Sequence, residues 1–249
     1  MSPLPEFLVF ALVGAAAQLV DGALGMAYGV TSAGLLLGLG MPPAMASASV
    51  HYAESFTCGA SGLSHLLAGN VSRWLFLALA IPGTFGALLG VWLAVHLPAP
   101  WLRIALTPYL LGMGLFLLMR GARRAGERTE APRGTPLLGA VAGFVDTIGG
   151  GGWSALTATT LLASGMQPRV VIGSVHLAKC AVSIIASTAF LFGIGIGHSM
   201  AVPGLIAGGI LAAPFGALFV RRIPARATTL LAGLAVLALG VSNAVRLLY

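Results

Sequence analysis

Charged residues are scarce in this 249-residue sequence: they form 8% of the chain, against about one quarter in an average soluble protein. Hydrophobic residues form 58%, and the mean hydropathy is +0.98. Long apolar runs with so few charges are typical of membrane-spanning helices, and the short alternating segments of a membrane barrel are missing. The sequence therefore predicts an all-α polytopic membrane protein and excludes an ordinary soluble domain.

Cysteines and familiar catalytic motifs are also few or missing. The two cysteines, Cys58 and Cys180, lie in apolar segments, so neither a disulfide framework nor a CxxC metal site is indicated. The chain has no GxxxxGK[ST] nucleotide-binding loop and no HExxH zinc motif. We therefore expect no cofactor and no metal ion, and a protein that is not an enzyme.

Acidic residues are fewer than basic ones, and the net charge is +7. The arginines fall in the connections between apolar runs. That distribution is typical of a chain oriented in a bilayer, so nucleic acid is not expected as a partner. The first apolar run carries Glu6 and lacks a basic leader, so we interpret it as a first span and not as a removed signal peptide.

Apolar runs separated by glycine and proline predict about five helical segments in each half of the chain. In the first half these are roughly 5–20, 23–39, 44–68, 74–95 and a segment that ends near Met119. The polar stretch Arg120–Pro136 separates the halves. We predict a first transmembrane repeat at 1–120, a basic linker at 121–135 and a second repeat at 136–249.

The second half repeats the plan of the first. At one constant spacing, an acid, a glycine, a Gly-Met-x-Pro turn and a Ser-Val-His triplet recur; a Phe-Gly-Ala-Leu match follows after a short offset. These pairs are Asp21 with Asp146, Gly25 with Gly150, Gly40 with Gly165, Ser49-Val50-His51 with Ser174-Val175-His176, and Phe85–Leu88 with Phe215–Leu218. An internal duplication is predicted.

Arginine placement favours an inverted relation between the repeats. If each repeat crosses the bilayer an odd number of times, most arginines fall on one side, and only two fall on the other, Arg103 and Arg246. Positive residues prefer the cytoplasm, so we expect a cytoplasmic linker at 120–135 and both termini outside. Inverted repeats whose helices break at glycine-rich turns are a recurring transporter plan, with the binding site at the midplane.

The third segment of each half carries charged side chains near the middle of the membrane, where burying a charge costs free energy. Glu54 and Lys179, the only lysine, occupy matching positions near the middle of a hydrocarbon core about 30 Å thick. A charge there costs at least about 2.5–3.5 kcal/mol on insertion scales unless it has a partner. The two residues are therefore candidates for function, and a purely structural Glu54–Lys179 salt bridge is the alternative.

Several groups near Lys179 form a candidate anion site. The Gly149–Gly152 run cannot face lipid as irregular backbone, and its amides at a helix start would favour an anion. Close packing of helices on small residues is the alternative for this run. Glu54 and His51 are suited to proton coupling, because a buried carboxylic acid and a histidine can both take up protons near neutral pH. Candidate substrate-binding residues are Lys179, His176, Ser174, Gly149, Gly150, Gly151, Gly152, His51 and Ser49.

Asp21 and Asp146 end the first segment of each repeat, and two interpretations stay open. They are either gating groups or caps of the following half-helix, and aspartate is a common helix cap. Tyr28 and Trp153, which follow the glycine turns, would then line the cavity or pack against it.

The paired Val-Asp and glycine-rich turns, the Gly-x-x-Pro turns and the Ser-Val-His triplets resemble those of the sulfite exporter TauE/SafE family. The resemblance extends from about Gly14 to the last segment, apart from the linker. It implies a multi-pass permease of a bacterial inner membrane that carries sulfite, sulfonates or related sulfur-containing anions. The first-half turn departs from the pattern, with Met26-Ala27-Tyr28 where the second half has Gly151-Gly152-Trp153.

We therefore predict a secondary transporter of a small sulfur-containing anion, coupled to protons. Its partners are a small anionic substrate and the lipid bilayer, and a homo-oligomer is left open. The alternative is a cation or metal-ion permease that uses Asp21, Asp146 and Glu54, since intramembrane acids can line cation paths. An intramembrane metalloenzyme with His51, His176 and Glu54 is disfavoured by its poor ligand set.

Overall fold

The computed structural model describes residues 3–24, 28–120, 131–195 and 200–220, with isolated helical positions between 230 and 245. Gly25, most of the predicted linker and the arginines at 221, 222, 226 and 246 lie outside the described residues. Within those ranges every regular element is an α-helix. The helices are α1 (Pro3–Leu24), α2 (Tyr28–Gly38), α3 (Pro43–Leu67), α4 (Arg73–His96), α5 (Ala99–Arg120), α6 (Thr135–Gly149), α7 (Trp153–Ala163), α8 (Pro168–Ile194) and α9 (Ala201–Val220).

Five helices in the first half agree with the predicted number, but the first boundary was wrong. Helix α1 does not stop at Asp21; it continues to Leu24, and α2 begins only at Tyr28. The Asp21 carboxylate accepts a hydrogen bond from the backbone N–H of Tyr28 at 3.0 Å. The acid therefore belongs to the last turn of one helix while it contacts the start of the next.

The surface and the interior have the polarity expected of a protein surrounded by lipid. Large apolar side chains such as Phe192 and Phe85 are 86% and 70% exposed, whereas Glu54 and Lys179 are buried. This arrangement is the reverse of a soluble protein, in which charged residues are almost never fully buried. Two helices in the described ranges, Arg73–His96 and Arg169–Ile194, are by themselves long and apolar enough to span a membrane; shorter apolar helices accompany them.

Helices α3 and α8, which carry the predicted site residues, pack against each other in antiparallel directions. At one end the hydroxyl of Tyr52 donates to the carbonyl oxygen of Gly195 at 3.1 Å. At the other end the backbone N–H of Ser72, just after α3, donates to the hydroxyl of Ser174 at 2.9 Å. The start of α8 thus lies beside the end of α3, and their midpoints meet inside the protein.

The outer helix pairs have matching contacts in the two halves. Helix α6 packs on α4, where a Cβ on Gly139 would lie 2.7 Å from the carbonyl oxygen of Leu79. Helix α1 packs on α9, where a Cβ on Gly14 would overlap the carbonyl oxygen of Leu205. Both pairs therefore depend on glycines that let two backbones touch, as small residues do between membrane helices.

Two further glycines of the outer helices lie against aromatic residues at the starts of α7 and α2. Gly83 lies against Trp153, and Gly209 lies against Tyr28, so each contacts one member of the matched Tyr28 and Trp153 pair. The match of Phe85–Leu88 with Phe215–Leu218 stays a prediction.

Candidate functional site

The glycine run between α6 and α7 forms a break in the helix. Helix α6 ends at Gly149; Gly150 follows with φ of 69°, and Gly152 has φ of 125° before α7 begins. Both values lie in the region that favours glycine. A Cβ on Gly151 would overlap the backbone of Gly29 and Val30, so this break touches the start of α2 directly.

Asp146 in the last turn of α6 contacts the start of α7. Its Oδ1 accepts a hydrogen bond from the backbone N–H of Trp153 at 2.9 Å, just as Asp21 accepts one from Tyr28. This is a helix-capping contact, and it uses the first amide of α7, directly after the Gly149–Gly152 run whose amides we expected an anion to contact. A gating role for either acid stays a prediction.

The second oxygen of Asp146 belongs to a buried charged cluster, which we define as His51, Glu54, Asp146 and Lys179. The Nζ of Lys179 donates to Oδ2 of Asp146 and lies 2.8 Å from Oε2 of Glu54. All four side chains are buried. The charged cluster joins α3, α6 and α8 at the centre of the protein, so the Glu54–Lys179 pair is present but forms only part of it.

His51, three residues before Glu54 on α3, completes the charged cluster. Its Nε2 lies 3.1 Å from Oδ2 of Asp146, and its Nδ1 lies 2.8 Å from the carbonyl oxygen of Ser47. The ring of Phe190 lies near the imidazole, with 6.0 Å between centroids. The matching residues His176 and His65 have nearly the same ring contact, at 6.1 Å.

The charged cluster already contains its own cation. One ligand atom from each of His51, Glu54 and Asp146 lies within 4.8 Å of the others, close enough to surround a positive ion. The Lys179 ammonium contacts both carboxylates of this group. A buried ammonium beside two acids supplies the positive charge that the acids require.

A cavity of about 410 Å³ extends from the charged cluster toward the surface. Helices α1, α2, α3, α7, α8 and α9 all contribute to its wall. Aromatic and aliphatic groups cover much of this wall, including Tyr28, Phe56, Trp153 and Ile210, and the polar groups include Gln18, Asp21, Glu54, Ser61, His176 and Lys179. The cavity is large enough for a small organic ion together with water, since a water molecule occupies about 30 Å³.

The structure brings only some of the predicted site residues to this cavity. Lys179, His176, Glu54, Asp21 and Gly152 line it. Several others lie outside its wall; these are Ser49, Ser174, His51, Asp146, Gly149, Gly150 and Gly151. Direct contact between these other residues and a substrate is therefore not supported by this arrangement.

Both serines that we predicted to bind substrate form contacts within the protein. The hydroxyl of Ser49 faces the sulfur of Met41 at 4.0 Å, and that of Ser174 accepts the amide of Ser72. Each Ser-Val-His serine lies two residues before its histidine, and residues two apart point to different sides of a helix. The serines thus turn away from the cavity while His176 faces it.

Sequence reasoning missed one row of cavity residues on α3. Cys58, Ser61 and Ser64 follow Glu54 at successive steps of about one helical turn and line the same wall. The hydroxyl of Ser61 lies 3.1 Å from Nδ1 of His176. Helical spacing from Glu54 would have identified this row, because positions three and four apart share a face.

The apolar surface, the broken helices and the enclosed charged cluster beside a cavity define a helical membrane protein with an internal polar site. The chain belongs to the family described as Sulfite exporter TauE/SafE, which it matches over residues 10–243. It is similar to a protein named "Probable membrane transporter protein YtnM" from Bacillus subtilis (strain 168), with 42% identity over 226 residues. That match covers 87% of this chain and 75% of the relative.

No solved structure matches the chain. The family and the relative agree on membrane transport, so the protein is a membrane transporter and not an enzyme. Membrane embedding and a small substrate follow from that class.

Proposed function

We propose that the protein is a secondary transporter that carries a small sulfur-containing anion, such as sulfite or a sulfonate, together with protons. The observation that carries this proposal is the position of Lys179, the only lysine of the chain, at the inner end of a cavity. A buried ammonium with access to a cavity is suited to anion binding. The name of the family supports a sulfur oxyanion as the cargo.

The proposal includes two inverted repeats in a bacterial inner membrane, with a cytoplasmic linker and outward termini. Support comes from the antiparallel packing of α3 and α8, which hold matching positions in the two halves. Further support comes from the ring contacts of His51 with Phe190 and of His176 with His65. A two-fold relation in the membrane plane would produce both features.

Proton coupling in this proposal rests on competition between Glu54 and the anion for Lys179. Asp146 is held by the Trp153 amide, His51 and Lys179, whereas Oε2 of Glu54 has an ion pair with Lys179 but no hydrogen bond in the described part of the chain. Glu54 is therefore the acid that is easier to displace. When Glu54 takes up a proton, Lys179 keeps Asp146 and gains the capacity to bind an anion from the cavity.

Ligand-induced thermal stabilisation of the purified protein tests the proposal. Sulfite or a sulfonate at about 100 times its Kd should stabilise the protein by about 2.7 kcal/mol through mass action. Lys179→Met should abolish this effect. Arg169→Met removes an exposed cation from the same helix and should keep it. Equal stabilisation of both variants would contradict the role of Lys179.

A cation permease is the second candidate, and the close spacing of His51, Glu54 and Asp146 favours it. Lys179 opposes it, because an ammonium in contact with both acids repels another cation. The same thermal assay separates the two functions. Stabilisation by a divalent cation, with no effect of anions, would favour the cation permease.

A further inference from the structure

We infer that His51 is held as an imidazolium that shares its proton with Asp146, and that this second cation makes the site selective for anions of a single negative charge. The inference deepens the proposed function and rests on it for the identity of the site. It starts from the hydrogen-bonding partners of the two imidazole nitrogens.

The environment of Nδ1 requires a proton on that nitrogen. The nearest partner of Nδ1, at 2.8 Å, is the carbonyl oxygen of Ser47, which can only accept. The other neighbour is the Ser47 hydroxyl at 3.4 Å, and this hydroxyl donates to the carbonyl oxygen of Thr147. Both neighbours of Nδ1 therefore act as acceptors, and Nδ1 is the donor.

The environment of Nε2 requires another proton. Nε2 lies 3.1 Å from Oδ2 of Asp146, and a neutral imidazole with a protonated Nδ1 would direct a lone pair at that carboxylate oxygen. The same Oδ2 accepts from Lys179, and Oδ1 accepts from the Trp153 amide. One proton must therefore lie between His51 and Asp146, and a carboxylate that already accepts two donors favours its location on the imidazole.

This proton makes the charged cluster electrically neutral. The charged groups that face His51 in the described ranges are Asp146 on α6, Lys179 on α8 and Glu54 on α3. With His51 as an imidazolium, two cations balance two carboxylates. Without that proton the cluster holds one uncompensated negative charge, which is costly in a buried site and repels anions.

Neutrality also limits the charge of the bound anion. Protonation of Glu54 leaves the cluster with one net positive charge, which one monoanion cancels. A dianion would leave one net negative charge unless Asp146 also took up a proton, and Asp146 is fixed by the Trp153 amide, His51 and Lys179. The site therefore fits a monoanion such as an alkanesulfonate or hydrogen sulfite, and it disfavours sulfate and thiosulfate.

Nitrogen NMR of histidine-labelled protein tests the protonation state without any substrate. The resonances lost in His51→Gln identify His51, and both of its ring nitrogens should have the imidazolium signature at neutral pH. His96→Gln is the matched control, since His96 lies at the exposed end of α4. A neutral imidazole at position 51 would overturn the inference and leave the proposed function standing.

Anion binding tests the charge selectivity. Methanesulfonate should stabilise the wild-type protein, and thiosulfate at equal concentration should bind at least about tenfold more weakly, a difference of 1.4 kcal/mol. His51→Gln keeps a donor toward Asp146 but removes the charge, so it should weaken methanesulfonate binding by a similar factor, and His96→Gln should not.

Equal binding of the two anions, or undiminished binding by His51→Gln, would overturn the inference. Binding of no anion at all, despite an imidazolium signal, would refute the proposed function and with it the charge selectivity.

Discussion

Asp146 and Asp21 hold matching positions in the two halves, but their surroundings differ in charge. Each accepts a hydrogen bond from the first amide of the next helix. Asp146 also contacts Lys179, whereas the position that matches Lys179 in the first half is Glu54, which is itself an acid. Asp21 and Asp146 therefore cap the following helix in the same way, but only Asp146 also neutralises the charge of Lys179.

Asp146→Asn and Asp21→Asn should separate the capping contribution from the charge. Both asparagines keep an oxygen for the following amide, but Asp146→Asn leaves the Lys179 ammonium with one acid fewer. We expect a loss of about 3–5 kcal/mol for Asp146→Asn, as when a buried ion pair is broken. Asp21→Asn should cost about 1 kcal/mol or less, the scale of a changed cap. Thermal unfolding in detergent measures both, and equal losses would refute the electrostatic role.

Glu54→Gln should remove the competition for Lys179 that links anions to protons. The amide imitates the protonated acid, so anion binding should persist and lose its dependence on pH. In the wild type, binding should weaken as pH rises, because the anion then competes with an ionised Glu54. Binding isotherms from pH 5 to pH 8 report this, with Glu6→Gln on α1 as the control. A pH dependence that survives in Glu54→Gln would exclude Glu54 as the coupling residue.

Individual site residues differed in how far the sequence could predict them. Glu54 and Lys179 were identifiable because a charge in an apolar helix is conspicuous. The contacts of Asp146 with His51 and Lys179 were not, because they depend on how α6 crosses α3 and α8. Local spacing predicts which face a residue occupies, and only the packing of helices decides which faces meet.

At the scale of helices, the contact of the break between α6 and α7 with the start of α2 leaves no room for a side chain at Gly151. A Cβ there would overlap the backbone of α2 at Gly29 and Val30, and neither backbone can rotate away as a side chain does. The glycine is therefore required by the packing of one broken helix on the other.

Gly151→Ala should destabilise the protein by about 3 kcal/mol or more, at the upper end of the cost of overpacking. Gly38→Ala is the matched control: it lies at the end of α2, nothing lies within 4 Å of its added Cβ, and it should be neutral or slightly stabilising. The unfolding temperatures of the two variants measure this difference in stability. A Gly151→Ala protein as stable as the Gly38→Ala protein would show that Gly151 is not in contact with the start of α2.

The helices were largely predictable, and their ends were less so. Glycine and proline turns placed α3, α4 and α5 to within a residue or two, because these residues end helices for local reasons. The end of α1 was misplaced because we ended the helix at Asp21, whereas Asp21 accepts the Tyr28 amide from inside the last turn of α1.

For the whole molecule, the central feature is that α3 and α8 are antiparallel although they occupy the same place in the two halves. In a membrane, two helices that run in opposite directions end on opposite faces. The connection after α3 and the connection after α8 should therefore lie on different sides of the bilayer. Repeats with parallel topology would put both connections on one side.

Single cysteines in a background without Cys58 and Cys180 test this arrangement. Asn70→Cys reports on the connection after α3, and Met200→Cys reports on the connection after α8. Since arginines favour the cytoplasm, and Arg73 follows the first connection, a membrane-impermeant thiol reagent should label Met200→Cys in intact cells and Asn70→Cys only after permeabilisation. Pro98→Cys, between α4 and α5, should behave like Met200→Cys. Labelling of both connections from the same side would refute the inverted repeats.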